Sequence, residues 1–245
     1  MANSIHMKLR ILPLLALVRH TTFIAPGCVS GMIEDAIRTS RVQNWMPLHA
    51  NARKGDYALR RLSDGSTLRY EVTATENGVL SITRSFVATG DLPGVFKDYV
   101  YHIKSTPDGT VKEAVVYKDG KPKMKLAIAE DGFVGYYQDL QNYRLPSAPK
   151  MEVAAGAFRV NNILLKEVRF LDGSGVKERA AAVIFLSNEA KFGAVKTWLF
   201  RPTDEPLIKL KPKIEEAVQS GSIAELEQYL DSAGASLSEE LANQG

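Results

Sequence analysis

The sequence has one cysteine, Cys28, in 245 residues. A single thiol excludes an internal disulfide, a multi-cysteine zinc site and a redox pair, so no covalent staple holds the fold. Histidine is nearly as scarce: beyond residue 27 only His49 and His102 remain. His102 lies on the polar side of a strand pattern and reads as a surface residue, and His49, just after Pro47, reads as structural. There is no HExxH, no Cys or His pair at ligand spacing and no EF-hand loop, so no metal and no cofactor is expected. There is no GxSxG elbow, Walker loop or GxGxxG, and Gly173-Ser174-Gly175 is a turn. Catalysis needs a convergent nucleophile, base and oxyanion donor. No such set stands out, and the expected role is non-enzymatic.

Charge of one sign is missing from each end. Residues 1–27 contain Lys8, Arg10 and Arg19 but no acid, and from Ile214 onward there are seven acids and no base. The whole chain has 31 basic and 28 acidic residues, so the net +3 lies entirely in the leader. The remainder is neutral but polarised: residues 28–213 hold 28 bases against 21 acids, which the tail balances. That distribution gives no basic stripe with interleaved aromatics, and nucleic acid is not an expected partner. The opposite charges of body and tail attract, but exposed charges are screened within about 8 Å at physiological salt.

The leader has a basic start, Met7-Lys8-Leu9-Arg10, then the apolar run Ile11 to Val18 and a second short run, Phe23-Ile24-Ala25. These are the parts of a secretory signal peptide, with Met7 as its natural first residue. The run is too short for a membrane-spanning helix, which needs about 20 apolar residues. Ile24-Ala25-Pro26-Gly27-Cys28 resembles the lipobox of bacterial lipoproteins. The resemblance implies that residues 1–27 are removed, that Cys28 carries lipid, and that the membrane is a partner through this anchor. Val29 in place of Asp implies, by the same resemblance, an outer-membrane lipoprotein facing the periplasm. The alternative is an N-terminal arm packed on the body, with Cys28 a buried small hydrophobe.

Residues 28–53 form the N-terminal segment. Ile33 with Ile37 and Met32 with Ala36 predict a helix over 31–46, stopped by Pro47 and serving as a spacer, a plug or a core cover. Residues 54–201 then change to period two. Leu68, Tyr70 and Val72, Leu80 and Ile82, and Tyr99, Tyr101 and Ile103 each alternate with polar residues. Val111, Val115 and Tyr117 are expected to share one face, as are Met124, Leu126 and Ile128. Six Asx-Gly pairs, at Asp64, Asn77, Asp108, Asp119, Asp131 and Asp172, mark hairpin turns. A second block holds strands at 158–170, 180–186 and 195–200, the middle one apolar on both faces. The prediction is a mainly β (α+β) fold: a curved antiparallel sheet or half-barrel of nine or ten strands, a short N-terminal helix and a helical C-terminal tail.

The pieces Lys54-Gly55-Asp56-Tyr57, Asp64-Gly65, Ala155-Gly156-Ala157-Phe158 and Phe192-Gly193-Ala194-Val195-Lys196 are similar to segments of exported bacterial β-rich lipoproteins. That resemblance, over 54–200, implies an open β-barrel like that of the periplasmic lipoprotein carriers. The leading expectation is an envelope lipoprotein with a structural or binding role. An alternative is a carrier of a lipid or other apolar ligand, lined by Leu68, Tyr70, Val72, Tyr99, Tyr101, Leu126 and Ile128.

Residues 202–245 read as a linker bounded by Pro202 and Pro206 and an acidic helical tail beyond Pro212. Ser222 to Glu225 is a capping-box pattern, Ile223, Leu226 and Leu230 share a face, Gly234 is a stop, and Ser236 to Glu239 caps one more short turn. Ala217, Gly221, Leu226, Leu230 and Gly234-Ala235 resemble the helix pair of one ankyrin repeat. That resemblance implies a second alternative, an assembly subunit docking an envelope protein through its tail.

Overall fold

The computed structural model describes residues 34, 37, 41–42, 44–48, 51–90, 94–128, 137–171, 177–200, 207–235 and 237–245. The leader, Cys28, most of the predicted 31–46 helix and the turns at Asp131 and Asp172 lie outside the described residues.

The hairpin signals act as their chemistry requires. Asn77-Gly78 and Asp119-Gly120 hold both residues at positive φ (50° and 75°, 52° and 72°), the two-residue turn whose twist matches its strands. The first joins β3 (Ser66–Glu76) to β4 (Val79–Thr89), and the second joins β6 (Val111–Lys118) to β7 (Lys121–Lys125). Asp64-Gly65 joins β2 (Tyr57–Leu62) to β3, and Asp108-Gly109 joins β5 (Tyr99–Ser105) to β6. The longer connection between β4 and β5 contains a 3-10 turn, Gly94–Asp98, which buries Phe96 5.7 Å from Phe86. A meander of six neighbouring antiparallel strands results.

The second block contributes β9 (Tyr137–Arg144), β12 (Asn162–Leu171), β13 (Lys177–Leu186) and β14 (Ala194–Phe200). Ala181, Val183 and Phe185 are buried on one face of β13, and Ala182 and Ile184 on the other, as the doubly apolar pattern predicts. Helices α1 (Leu207–Ser220) and α2 (Ala224–Ser232) cover the face that carries Phe185 and Trp198. Those two rings meet edge-on at 5.0 Å, a contact worth about 1 kcal/mol beyond its buried area.

The tail departs most from the sequence reading. Instead of a further helical turn, Leu237–Gln244 is a strand, β15, at the middle of the molecule. It pairs antiparallel with β2 on one side and β14 on the other, joining both blocks into one open eleven-stranded sheet whose edges are β7 and β9. Leu, Glu and Ala favour helix by local propensity. Here the unpaired backbone edges of β2 and β14 override that preference, because buried amides and carbonyls must find partners.

Other details also change. Pairing continues beyond the eleven strands in a hairpin of β10 (Lys150–Val153) with β11 (Gly156–Arg159), so the predicted strand over 158–170 is two strands. Glu34 and Ile37 are helical as predicted, but Arg41–Val42 is a short strand, β1, paired in parallel with β8 (Ala127–Ile128), so the helix does not reach Met46. The register of β6 skips a residue after Val111, which turns Ala114 and Val116 inward and Val115 and Tyr117 outward. Tyr117 stacks on His102 at 4.1 Å on that outer face. The first helix runs through Pro212 rather than starting after it. The second has Ile223 as its N-cap with no side-chain cap, so the Ser222 capping box does not form; Gly234, at φ 72°, does end it. No helix among the described residues is long and apolar enough to cross a membrane.

Candidate functional site

One face of the sheet gathers the predicted lining residues. Directly paired residues share a face, so the register defines rows across the strands. One row runs Ala58, Tyr70, Arg84, Tyr101, Val116, Met124. The row on one side runs Val72, Ile82, Ile103, Ala114, and on the other lie Arg60, Leu68 and Phe86. All seven predicted residues belong to this core: Leu68, Val72, Tyr99, Tyr101 and Leu126 are buried, and Tyr70 and Ile128 are partly buried against them.

They do not share one environment. The Tyr99 hydroxyl donates to Glu34 at 3.4 Å and accepts from Lys118 at 3.2 Å, so the N-terminal segment covers it. Ile128 lies in β8 beside Val42, again under that segment. Tyr70 and Tyr101 instead flank Arg84, whose guanidinium carbon lies 6.0 Å and 5.2 Å from their ring centres. Burial pushes both phenols up in pKa, against the lowering effect of Arg84.

Three cations occupy inward positions that sequence reading passed over. Arg60 is 3% exposed. Its Nη2 donates to the Ala194 carbonyl at 2.7 Å, and its Nη1 lies 3.1 Å from Glu239 Oε1, close enough for an ion pair though not aligned as a hydrogen bond. Lys166, on β12 beside Leu164, sets its ammonium 4.3 Å from the centre of the Trp45 ring. Burial lowers its pKa to about 8. Arg84 differs from both: its Nε is buried without a hydrogen-bond partner, and among the described residues it forms no ion pair. The signal was present as charge in the apolar register: Ala58-Arg60-Leu62, Leu80-Ile82-Arg84-Phe86 and Leu164-Lys166 all step by two.

The N-terminal segment lies across the same face. Met46 donates its amide to the Gly109 carbonyl at 2.9 Å, and Trp45 Nε1 donates to the Asp108 carbonyl at 2.9 Å. Gly109 is required there, because a Cβ would lie 2.1 Å from the Met46 carbonyl oxygen. Further on, Leu48 reaches Gly193 in the turn between β13 and β14. Away from this face, Ala224, Glu227, Gln228, Asp231 and Ser232 line a shallow hollow on α2. Glu227 and Asp231 are committed there to Lys196, at 3.0 Å and 3.1 Å.

No protein-family model matches the chain, and no curated protein does. Among solved structures, a "putative lipoprotein" from Parabacteroides distasonis is similar over 84% of this chain and 100% of its own, at 8% identity and a TM-score of 0.37. A hypothetical protein from Chlamydia trachomatis is similar over 63% of this chain and 83% of its own, at 14% identity and a TM-score of 0.31. At these scores neither likeness carries a fold or a function across to this chain.

Proposed function

We propose that this chain is a non-enzymatic envelope protein with a binding or structural role, tethered by lipid on Cys28 at the periplasmic face of the outer membrane. The observation that carries this reading is the short distance between the anchor residue and the first docked residues. Glu34 lies within 3.6 Å of Lys118 and 3.4 Å of Lys123, and Ile37 is fully buried. Only five residues separate Cys28 from Glu34, and fully extended the stretch reaches about 20 Å. A lipid on Cys28 would therefore hold the sheet close to the bilayer rather than on a long stalk. The basic, acid-free leader ending in Gly27-Cys28 supports the same reading. Metabolic labelling with a fatty-acid analogue tests it. Label on the wild type and none on Cys28→Ser is the expected result; no label on the wild type, or equal label on both, overturns it.

A second reading, a carrier of an apolar ligand on the inner face, is favoured by Trp45. Its indole nitrogen meets Asp108 at the end of β5, and its ring meets Lys166 on β12. Those strands are seven ladder steps apart in the sheet order. In a flat sheet, at about 4.8 Å per step, they would be about 34 Å apart. A single indole joining them supports a sheet curled into an open half-barrel with the N-terminal segment across its inner face. Native mass spectrometry of protein purified from its host tests this reading. A bound amphiphile supports it, and an unliganded protein that also fails to take up a fluorescent fatty acid overturns it.

A further inference from the structure

We propose that the end of the β6–β7 hairpin is a second membrane contact, where Lys118, Lys121 and Lys123 meet the phosphates of anionic phospholipids in the bilayer that holds the Cys28 anchor. This inference deepens the anchor reading, on which it rests for its location, and adds the class of lipid and the residues that touch it.

Lysine is concentrated here against the local physics. Lys118 and Lys121 pair directly across the ladder, so they share a face, and like charges directly opposite destabilise a sheet. The register skips a residue just beyond them, and Lys123 is the extra one. Glu34 lies 3.6 Å from Lys118 and 3.4 Å from Lys123, so one carboxylate serves two lysines. Lys121 forms no ion pair among the described residues. On the outer face Glu113 is also shared, between Lys104 and Lys125. With Asp119 in the turn, these groups are five lysines against three carboxylates. The acidic tail does not neutralise them: its strand β15 is six ladder steps from β7, about 29 Å along the sheet, against a screening length of about 8 Å. Lysine and proline on β7 protect an open sheet edge, which accounts for Lys121-Pro122-Lys123 alone. It does not account for Lys118, which is on the interior strand β6 and adds repulsion to the pair.

Position supplies the partner. Glu34 is the first described residue after Cys28, and the lysines of this hairpin are the ones that hold it. Acylation of Cys28 therefore tethers this edge of the sheet to the bilayer by the shortest stretch of chain. Lys121 and Lys123 are exposed, as contact with a surface requires. An ammonium is a compact point charge that suits phosphate oxygens. Each lysine near an anionic leaflet raises partitioning about fivefold, so the two charges left unmatched give about twentyfold. The acyl anchor supplies attachment, and the lysines fix which edge of the sheet faces the head groups. Helix α2 covers β14, seven ladder steps from β7, and stays clear of them.

The test uses the full chain with Cys28→Ser and a polarity-sensitive dye on one introduced cysteine, either Pro122→Cys at the hairpin or Ser232→Cys on α2, both exposed positions. The vesicles are pure phosphatidylcholine, or equal parts phosphatidylcholine and phosphatidylglycerol. Because the dye reads only its own surroundings, contact by the hairpin is distinguished from uptake of the apolar leader. The hairpin dye should shift to the blue with the anionic vesicles at a lipid concentration at least about tenfold below that needed with phosphatidylcholine, and high salt should weaken the shift. The α2 dye should not shift. Lys121→Gln with Lys123→Gln should raise the anionic lipid needed by about tenfold or more and leave the phosphatidylcholine response unchanged. If that variant self-associates through its unguarded edge, Lys118→Gln, which leaves β7 intact, should still lose about fivefold. Equal responses of the hairpin dye to both vesicles, equal shifts at both dye positions, or lysine variants that respond like the parent would overturn the proposal. Self-association with an unchanged lipid response would assign the lysines to edge protection alone and overturn it too. All these failures leave the fatty-acid labelling of Cys28 intact, whereas a missing label overturns the anchor reading whatever the dye shows.

Discussion

Lys166→Met should flatten the alkaline stability profile of the protein. Lys166 is 4% exposed at an inward position of β12. Burial strips water from its ammonium and lowers its pKa from 10.5 to about 8. The direction of the effect comes from proton counts. Below about pH 8 the lysine is charged in both states and the full cost of burying it is present. Between about 8 and 10.5 the folded state sheds the proton while the unfolded state keeps it, so unfolding takes up a proton and stability rises with pH. At 1.36 kcal/mol per pH unit that window corresponds to about 3 kcal/mol. The Trp45 contact returns about 1–2 kcal/mol of this cost. Methionine keeps the unbranched stem, and its sulfur packs well on an indole. Urea unfolding of wild type and variant at several pH values from about 7 to about 10 reads the difference through the midpoints, provided the slopes match. From the low end to the high end the wild type should gain stability relative to the variant. Two parallel profiles would refute the reasoning.

The central position of β15 makes Leu241, fully buried there, a sensitive residue: Leu241→Ala should lose about 2–4 kcal/mol in urea unfolding. A chain ending before Leu237 exposes the edges of β2 and β14 and should lose cooperative unfolding and monodispersity, seen by circular dichroism and gel filtration. Asp231→Ala removes the acceptor of Trp198 Nε1, 2.8 Å away, and one partner of Lys196, and should cost about 1–2 kcal/mol with a red shift of tryptophan emission. Asp56 is buried, which raises its pKa, but the Arg53 amide and the Lys191 ammonium outweigh burial and hold it below 3.8. Its contribution is therefore complete above that value and lost as pH falls through the lower folded pKa. Asp56→Asn should lower stability at neutral pH and weaken the acid dependence, measured by thermal melts between about pH 2 and 6.

Much of the sheet was legible because its signals are local. Period-two alternation and Asx-Gly turns fix a hairpin from a few residues, and the register of Leu68, Tyr70 and Val72 against Ile82 and Phe86 comes from them. The bulge at Ser105 was not legible: one skipped residue reverses the faces of Val115 and Val116, and nothing in Val111 to Tyr117 announces it. Nor was β15 legible, since its residues favour helix and its pairing depends on the edge of β2, near the start of the sheet, as well as on β14. The candidate site was half legible. Tyr70 and Tyr101 could be placed on the inner face by alternation. Arg84 was missed because a strand pattern is recognised by its apolar members, and a cation in that register reads as the end of the pattern rather than as a message within it.

Charge segregation along the chain acquires a structural meaning at the central seam. The acidic tail meets the basic body at Lys196 with Glu227 and Asp231, and at Arg60 with Glu239. Arg61 and Glu240 lie 3.9 Å apart on the opposite face. The Arg60 and Arg61 contacts run along the strand that welds the two blocks, and Lys196 lies on its neighbour β14, so the attraction that screening would weaken between separate parts is used where backbone pairing already fixes the geometry. Glu239 is the seam carboxylate facing the inner side, and Arg60 takes it. One inward guanidinium is then left without a carboxylate, two strands from Arg60, between two tyrosines. A neutral body and tail therefore still leave a local positive point inside an apolar face.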